Sequence, residues 1–165
     1  MVIGGAPLAP KLQSLIRNSL DITLIQGYGT TETSGGIVCM DFHDLSYGRV
    51  GAPLNGVRVR LIDWPEGGYS IQDKPNPRGE LLVGGKMISL GYFLLEDQTK
   101  ENFFDEDGYH WFITGDIGEV FPDGTFKIID RKKDLVKLAN GEFISLGKVC
   151  FPLLQIYIIL ISLFY

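Results

Sequence analysis

Two hydroxyls and a carboxylate follow one another at Thr30, Thr31 and Glu32, within the segment GYGTTET of residues 27–33. The glycines on either side of Tyr28 allow the backbone to approach a flat ligand closely, while the phenol ring can cover one face of that ligand. A hydroxyl can donate to a phosphate oxygen, and a lone carboxylate beside phosphates is a natural partner for Mg²⁺, which takes few protein ligands. The alternative is an ordinary glycine-rich turn with a capping threonine, and the segment alone leaves both interpretations open.

A second carboxylate suited to ligand binding is Asp116. It follows Thr114 and Gly115, directly after the apolar residues 111–113, which have the composition of a buried strand. A carboxylate fixed at that point could accept both hydroxyls of a ribose, as acidic residues do in dinucleotide-binding sites. The alternative is an aspartate that caps a turn, and taken alone Asp116 fits the turn better. The charged run 130–134, taken alone, is likewise typical of a surface turn.

The segments that must position these groups are a short helix and a series of strands. Leucine and isoleucine recur with helical spacing and predict a helix over residues 9–19 that packs one face on a sheet. Pro10 lies at a favourable first helical position. The apolar run 22–26 predicts a buried strand immediately before residues 27–33, and a loop rich in glycine and acidic residues is expected from there to Pro53.

The second half of the chain has the pattern of a strand-rich domain. Turn-forming residues predict a surface loop over 64–78 and a hairpin turn at residues 122–124. A short helix is expected over 97–103, with its acidic residues at the positive end of the helix dipole. The predicted strands cover residues 57–61, 80–83, 117–121, 125–129 and 135–138.

Composition favours a mixed, β-rich α/β fold. The 165 residues are 45% hydrophobic, which is enough for a core, and 21 glycines with 8 prolines imply many turns. A net charge of −5 and the lack of a basic block argue against nucleic acid as a partner. The chain opens directly on turn-forming residues without a signal peptide, so an internal fragment of a longer protein is expected.

Three motifs of the chain occur in the order found in adenylate-forming enzymes, which include acyl-CoA synthetases, luciferases and the adenylation domains of peptide synthetases. The motifs are YGTTE at 28–32, TGD at 114–116 and DRKKDLVK at 130–137. Each motif is weakly specific, whereas the ordered trio is highly specific. Residues 133–138, followed by 141–149, make the sequence resemble the long-chain fatty acyl-CoA synthetases in particular.

This resemblance covers roughly residues 1–149 and implies a two-step ligase reaction. A long-chain fatty acid and ATP would give an acyl-adenylate and pyrophosphate, and CoA would then displace AMP, with Mg²⁺ as the metal cofactor. The resemblance also implies an intracellular enzyme associated with a membrane, either the endoplasmic reticulum or the mitochondrial outer membrane. The expected domains are residues 1–129, part of the large AMP-binding domain, and 130–148, a hinge and the start of a truncated C-terminal domain.

The resemblance assigns roles to individual residues of the large domain. Gly5 and Ala6 would line the adenine pocket, and Tyr28 would stack on the adenine. Thr31 would contact phosphate and Glu32 would hold Mg²⁺, which makes these two the catalytic candidates.

Three further residues complete the expected site. Asp116 would bind the ribose hydroxyls with the help of Arg131. Asp130 would be the hinge about which a small C-terminal domain turns between the two half-reactions.

The sequence also departs from the family pattern. A Ser/Thr/Gly-rich phosphate loop that ends in lysine has no counterpart here, and neither has a C-terminal lysine that stabilises the adenylation transition state. Residues 149–165 form an apolar tail that does not resemble the family. The chain is therefore expected to be inactive by itself, and the alternative interpretation is a non-catalytic nucleotide-binding or interaction module.

Overall fold

The computed structural model of the chain describes residues 1–6, 8–138 and 143–146. These residues belong to two compact units, Met1–Ile129 and Asp130–Tyr165. The described part of the first unit contains two β-sheets and two α-helices, and that of the second unit contains a two-stranded sheet. The predicted fold class, mixed α/β and rich in strands, is confirmed.

The first sheet consists of β1 (Val2–Ile3), β2 (Ile25–Thr30), β3 (Gly35–Cys39) and β4 (Ala52–Pro53), in this order across the sheet. Strand β1 is parallel to β2, whereas β2–β3 and β3–β4 are antiparallel. The sequence predicts a strand at residues 22–26, whereas the observed strand β2 begins at Ile25 and continues to Thr30. The first half of the segment 27–33 is strand rather than turn.

The prediction of a continuous loop up to Pro53 is wrong, because this stretch contains β3. Its residues Ile37 and Val38 are buried in the core. Two consecutive glycines, Gly35 and Gly36, open the strand and have the composition of a turn, so local sequence conceals the strand. Pairing with β2 on one edge and β4 on the other stabilises it.

The second sheet consists of β5 (Arg58–Ile62), β6 (Arg78–Gly84), β8 (Tyr109–Val120) and β7 (Phe103–Glu106), in this order, and β9 (Phe126–Arg131) also pairs with β8. The pairs β5–β6, β6–β8 and β7–β8 are antiparallel. The strands predicted at 57–61 and 80–83 and the turn-rich loop over 64–78 are confirmed. So is the hairpin turn at 122–124, where the N–H of Phe121 donates to the carbonyl oxygen of Thr125 at 2.9 Å.

Helix α1 (Pro10–Leu20) begins at the predicted proline, but its buried face is not the predicted one. The helix turns Gln13 and Arg17 inward, while Leu15 and Leu20 are 59% and 60% exposed. Both inward side chains form hydrogen bonds with a neighbouring loop. The helical spacing of apolar residues gives no information about such contacts, so the sequence does not predict this polar face.

Arg17 and Gln13 anchor the loop 44–48 to α1. The Arg17 guanidinium donates to the carbonyl oxygens of Leu45 and Leu24 at 2.9 Å and of Asp44 at 3.0 Å. The Gln13 amide donates to the carbonyl oxygen of Ser46 at 3.2 Å, and its own oxygen accepts the N–H of residue 48 at 2.9 Å. Because hydrogen bonds from a charged donor are among the stronger ones, the polar face is stable in the interior.

The second helix, α2 (Glu96–Asn102), confirms the predicted helix at 97–103.

One hydrophobic core of the first unit receives side chains from both of its sheets. Its buried members are Ile37, Val38, Leu81, Val83, Ile88, Phe103, Phe112 and Phe126. Each such side chain contributes about 1.5–3 kcal/mol on burial, so this core fixes the two sheets against each other.

The described part of the second unit is a short hairpin. A single turn of 3₁₀ helix, Lys132–Asp134, leads into β10 (Leu135–Lys137), which pairs antiparallel with β11 (Phe143–Ser145). The strand predicted at 135–138 is confirmed. The predicted tail 149–165 lies outside the described residues, and within them no helix has the length and apolar character needed to cross a membrane.

Candidate functional site

The turn that carries Thr31 and Glu32 is held in shape by the neighbouring Thr33. The Thr33 hydroxyl accepts the N–H of Thr30 at 2.9 Å, and it lies 2.9 Å and 2.8 Å from the carbonyl oxygens of Thr30 and Gly35, to which it can donate. Thr33 is buried, whereas Thr31 is exposed and Glu32 is half-buried. The third hydroxyl of the segment therefore builds the turn, and the turn presents the predicted phosphate and metal contacts.

Gly29 lies against the backbone of the facing strand β3. A Cβ atom at this position would overlap with the carbonyl oxygen of Gly35 and with the Cα atom of Gly36. The register of the two strands also shifts between Tyr28 and Gly29. Gly29 is therefore required by the approach of the protein's own backbone, and the predicted approach of a ligand is not needed to explain it.

The carboxylate of Glu32 is bound by Tyr92, which the sequence did not single out. The Tyr92 hydroxyl donates to Oε1 of Glu32 at 2.8 Å. Burial, followed by the hydrogen bond to Glu32 and its charge, raises the pKa of Tyr92 to about 12. The phenol is consequently a protonated donor at neutral pH.

Tyr28 and Asp116 are in direct contact. The Tyr28 hydroxyl donates to Oδ2 of Asp116 at 2.6 Å, and Asp116 is only 2% exposed. The Thr114 hydroxyl fixes this part of β8, because it donates to the carbonyl oxygen of Leu81 at 2.9 Å and accepts the N–H of Asp116 at 3.0 Å. Gly115 has a φ of 71°, a conformation that favours glycine, so each residue of the TGD motif has its own structural task.

Gly5 and Ala6 follow soon after strand β1, which runs parallel to β2, the strand that carries Tyr28. Because β1 and β2 are parallel with Ile3 opposite Gln26, the backbone of residue 4 reaches Gly27. Gly5 has a φ of 87°, and both residues are exposed.

Asp130 and Arg131 belong to the second unit. They close strand β9, and the N–H of Arg131 donates to Oδ1 of Asp130 at 3.0 Å. Asp130 is half-buried and Arg131 is exposed. Their predicted roles as hinge and ribose contact stay predictions.

A magnesium ion fits the donor chemistry at Glu32. Among the residues that the structure describes, no three His, Cys, Asp or Glu side chains are grouped closely enough to form a metal site by themselves. Mg²⁺ does not need such a group, because it commonly takes one or two carboxylates together with phosphate oxygens and waters. An ionised carboxylate offers about four acceptor positions, so accepting the hydrogen bond from Tyr92 is compatible with metal coordination by Glu32.

A model of the family described as "AMP-binding enzyme" matches residues 1–93, more than half of the chain. The chain belongs to the AMP-binding enzyme family. The similarity extends beyond that match: it is 51% identical over 150 residues to long chain acyl-CoA synthetase 8 of Arabidopsis thaliana, and 46% identical over 149 residues to the peroxisomal long chain acyl-CoA synthetase 6 of the same plant. Each alignment covers 90% of this chain and 21% of the relative.

Solved AMP-binding structures share the fold. The A domain of carboxylic acid reductase from Segniliparus rugosus, in complex with AMP and a carboxylic acid, has a TM-score of 0.74 and 36% identity, over 89% of this chain and 21% of that one. The O-succinylbenzoate coenzyme A synthetase of Bacillus subtilis, in complex with ATP and magnesium ion, has a TM-score of 0.67 and 28% identity, over 87% and 28%. The resemblance to long-chain acyl-CoA synthetases is therefore confirmed. The chain spans about a fifth of the length of these curated relatives.

Proposed function

We propose that this chain supplies adenine-, ribose- and phosphate-binding residues of a long-chain fatty acid–CoA ligase. In that reaction a carboxylate oxygen of the fatty acid attacks the α-phosphorus of ATP, and pyrophosphate leaves to give an acyl-adenylate. The thiol of CoA then attacks the acyl carbonyl carbon, and AMP leaves as the thioester forms. The identities of 51% and 46% to proteins named long chain acyl-CoA synthetases support this substrate class.

The observation that carries the proposal is the 2.6 Å hydrogen bond from Tyr28 to Asp116. Through this bond, the ring proposed to stack on adenine lies beside the carboxylate proposed to accept the ribose hydroxyls, and adenine and ribose are the two parts of one nucleoside. Gly5 and Ala6, next to the start of the Tyr28 strand, are proposed to line the adenine pocket. The AMP and ATP in the complexes of the neighbouring structures support an adenine nucleotide as the ligand.

Thr31 and Glu32 are proposed to act on the phosphates. The exposed hydroxyl of Thr31 would donate to a phosphate oxygen, and the carboxylate of Glu32 would hold Mg²⁺. When bound there, the ion would neutralise negative charge on the phosphates, which is the main electrostatic requirement of phosphoryl chemistry. The magnesium ion in the B. subtilis neighbour supports this cofactor.

The proposal extends to the organisation of the chain. Residues 1–129 would be part of the large AMP-binding domain, and 130–148 would hold the hinge, at Asp130, and the start of the C-terminal domain. The boundary between the two compact units, at Ile129 and Asp130, supports this division. The assistance of Arg131 at the ribose stays a prediction.

The alternative of a non-catalytic module is not favoured, because acyl-CoA synthetases match 90% of the chain. Two of these relatives are named as peroxisomal, which supports an intracellular enzyme. Membrane association, and a location at the endoplasmic reticulum or the mitochondrial outer membrane, stay predictions.

The test is the affinity of the chain, residues 1–165, for ATP by isothermal titration calorimetry. Asp116→Asn removes the charge of the proposed ribose acceptor, and hydrogen bonds to charged groups contribute about 1.5–3 kcal/mol. The expected loss of affinity is therefore about tenfold to 150-fold. Asp107→Asn is the matched control, because Asp107 is exposed in a turn with a φ of 52° that asparagine also adopts. Equal affinity of both variants would remove Asp116 from the site.

A further inference from the structure

The segment 85–95, between β6 and α2, is fastened to the turn that carries Glu32. The N–H of Ser89 donates to the backbone carbonyl oxygen of Glu32 at 2.7 Å, and the hydroxyl of Ser34 donates to the carbonyl oxygen of Met87 at 2.8 Å. The Tyr92 hydroxyl adds the bond to the Glu32 carboxylate. One segment therefore holds both the backbone and the side chain of Glu32.

Tyr92 is itself fixed by groups that take no part in the proposed site. Its N–H donates to Oγ1 of Thr99 at 2.9 Å, and its ring meets the buried ring of Phe103 edge-on with centroids 5.4 Å apart. The preceding Gly91 has a φ of 139°, and a Cβ atom there would overlap with the Thr99 side chain. Residues of α2 and β7 therefore hold the Tyr92 side chain in place independently of its bond to the Glu32 carboxylate.

We propose that Tyr92 is a positioning residue, which holds the Glu32 carboxylate in the orientation that binds the Mg²⁺ of the Mg²⁺–ATP substrate. This inference rests on the proposed role of Glu32. The Glu32 side chain has three rotatable bonds, so an ion would otherwise have to restrict them on binding. Groups that hydrogen-bond to a metal-binding carboxylate remove that freedom, and losing one typically weakens metal binding about 10–100-fold.

The decisive variant is Tyr92→Phe, which removes the hydroxyl and keeps the ring that packs on Phe103. ATP affinity of residues 1–165 is measured by calorimetry with saturating Mg²⁺ and again in EDTA. The variant is expected to lose at least about tenfold of the affinity in Mg²⁺, with no change in EDTA. Tyr109→Phe is the matched control, because its ring packs beneath the Arg58 guanidinium on the second sheet, and both its affinities are expected to equal those of the unmodified chain.

The comparison with Glu32→Gln separates the inference from the proposed function. Loss of the Mg²⁺-dependent affinity in Glu32→Gln, together with retention in Tyr92→Phe, would overturn the positioning role and leave the function intact. If Glu32→Gln keeps the Mg²⁺-dependent affinity, or the unmodified chain shows none, the proposed role of Glu32 fails and the positioning role fails with it.

A second measurement needs no Tyr92 variant. The chain has seven tyrosines, and labelling them with ¹³C at Cζ gives NMR signals that respond to hydrogen bonding of the hydroxyl. Glu32→Met, which removes the acceptor, is expected to shift the signal of one tyrosine in the absence of nucleotide. Seven unshifted signals would show that the Tyr92–Glu32 bond is not formed in solution, and this result would overturn the inference even if Tyr92→Phe failed to fold.

Discussion

The hydroxyl of Tyr28 donates to the carboxylate of Asp116 at 2.6 Å, although the two residues are 88 positions apart. Tyr28 lies on β2 of the first sheet and Asp116 on β8 of the second, so this bond connects the two sheets. The separation lies within the range of about 2.5–2.7 Å for a hydroxyl that donates to an ionised carboxylate. Two motifs that are separate in the sequence therefore form one unit in the fold.

Removal of the Tyr28 hydroxyl tests this connection. Tyr28→Phe deprives the buried Asp116 carboxylate of one donor, and a buried polar group that loses a partner typically costs about 1–3 kcal/mol. We expect the free energy of unfolding in urea to fall by that amount. Tyr47→Phe is a suitable control, because Tyr47 is exposed. Equal stability of the two variants would show that the bond contributes nothing to the fold.

Gly29 offers a sharp test of the contact between β2 and β3. Gly29→Ala would force a methyl group into the backbone of residues 35 and 36, and overpacking typically costs about 1–3 kcal/mol or more. Gly36→Ala is the matched control on the facing strand, because a Cβ atom there meets no atom within 4 Å. Thermal unfolding followed by circular dichroism is expected to separate the two variants, and the account of Gly29 is wrong if both unfold at one temperature.

The polar face of α1 can be tested at Arg17. Arg17→Met keeps the length of the side chain but leaves the carbonyl oxygens of Leu24, Asp44 and Leu45 without this donor, so we expect the free energy of unfolding to fall by about 1.5–3 kcal/mol. Lys11→Met on the exposed side of the helix should change it by about 0.5 kcal/mol at most. If the helix instead packs through its leucines, Leu15→Ala will be the more damaging change.

The hairpin turn before β9 predicts a dependence of stability on acid pH. Hydrogen bonds from the Thr125 hydroxyl and N–H, and then the Arg49 guanidinium, hold the pKa of Asp123 below its usual value. A lowered pKa in the folded state stabilises the fold above the unfolded pKa of about 3.9, and this contribution is lost as pH falls below that value. Asp123→Asn should therefore flatten the acid limb when the free energy of unfolding is measured against pH. An acid limb as steep as that of the unmodified chain would contradict this account.

The chain by itself is expected not to activate fatty acids. The sequence of residues 1–165 has no match to the phosphate loop or to the C-terminal lysine of the family, and loss of one preorganised charged donor typically lowers a rate about 10²–10³-fold. The assay is fatty acid-dependent release of pyrophosphate by purified material. Turnover within about tenfold of the ~10 s⁻¹ of a typical enzyme would show that the catalytic groups are wrongly assigned.

Local sequence was sufficient for most of the strands and for the family. Alternating apolar residues mark β5, a short apolar run marks β6, and the turn 122–124 marks a hairpin. The ordered motifs at 28–32, 114–116 and 130–137 carry the resemblance that the relatives confirm. These features depend on neighbours within a few residues, because side-chain alternation and turn conformation are properties of a short stretch of backbone.

Only the tertiary structure decided which groups meet. The burial of Arg17 depends on carbonyl oxygens up to 29 residues away, and the bond of Tyr92 to Glu32 spans 60 residues. A hydrogen bond between distant residues leaves no periodic trace in the sequence, since its partners are brought together by the packing of whole sheets and loops. The sequence thus determined the family and the candidate ligand-binding residues. The contacts that hold those residues in place follow from the fold.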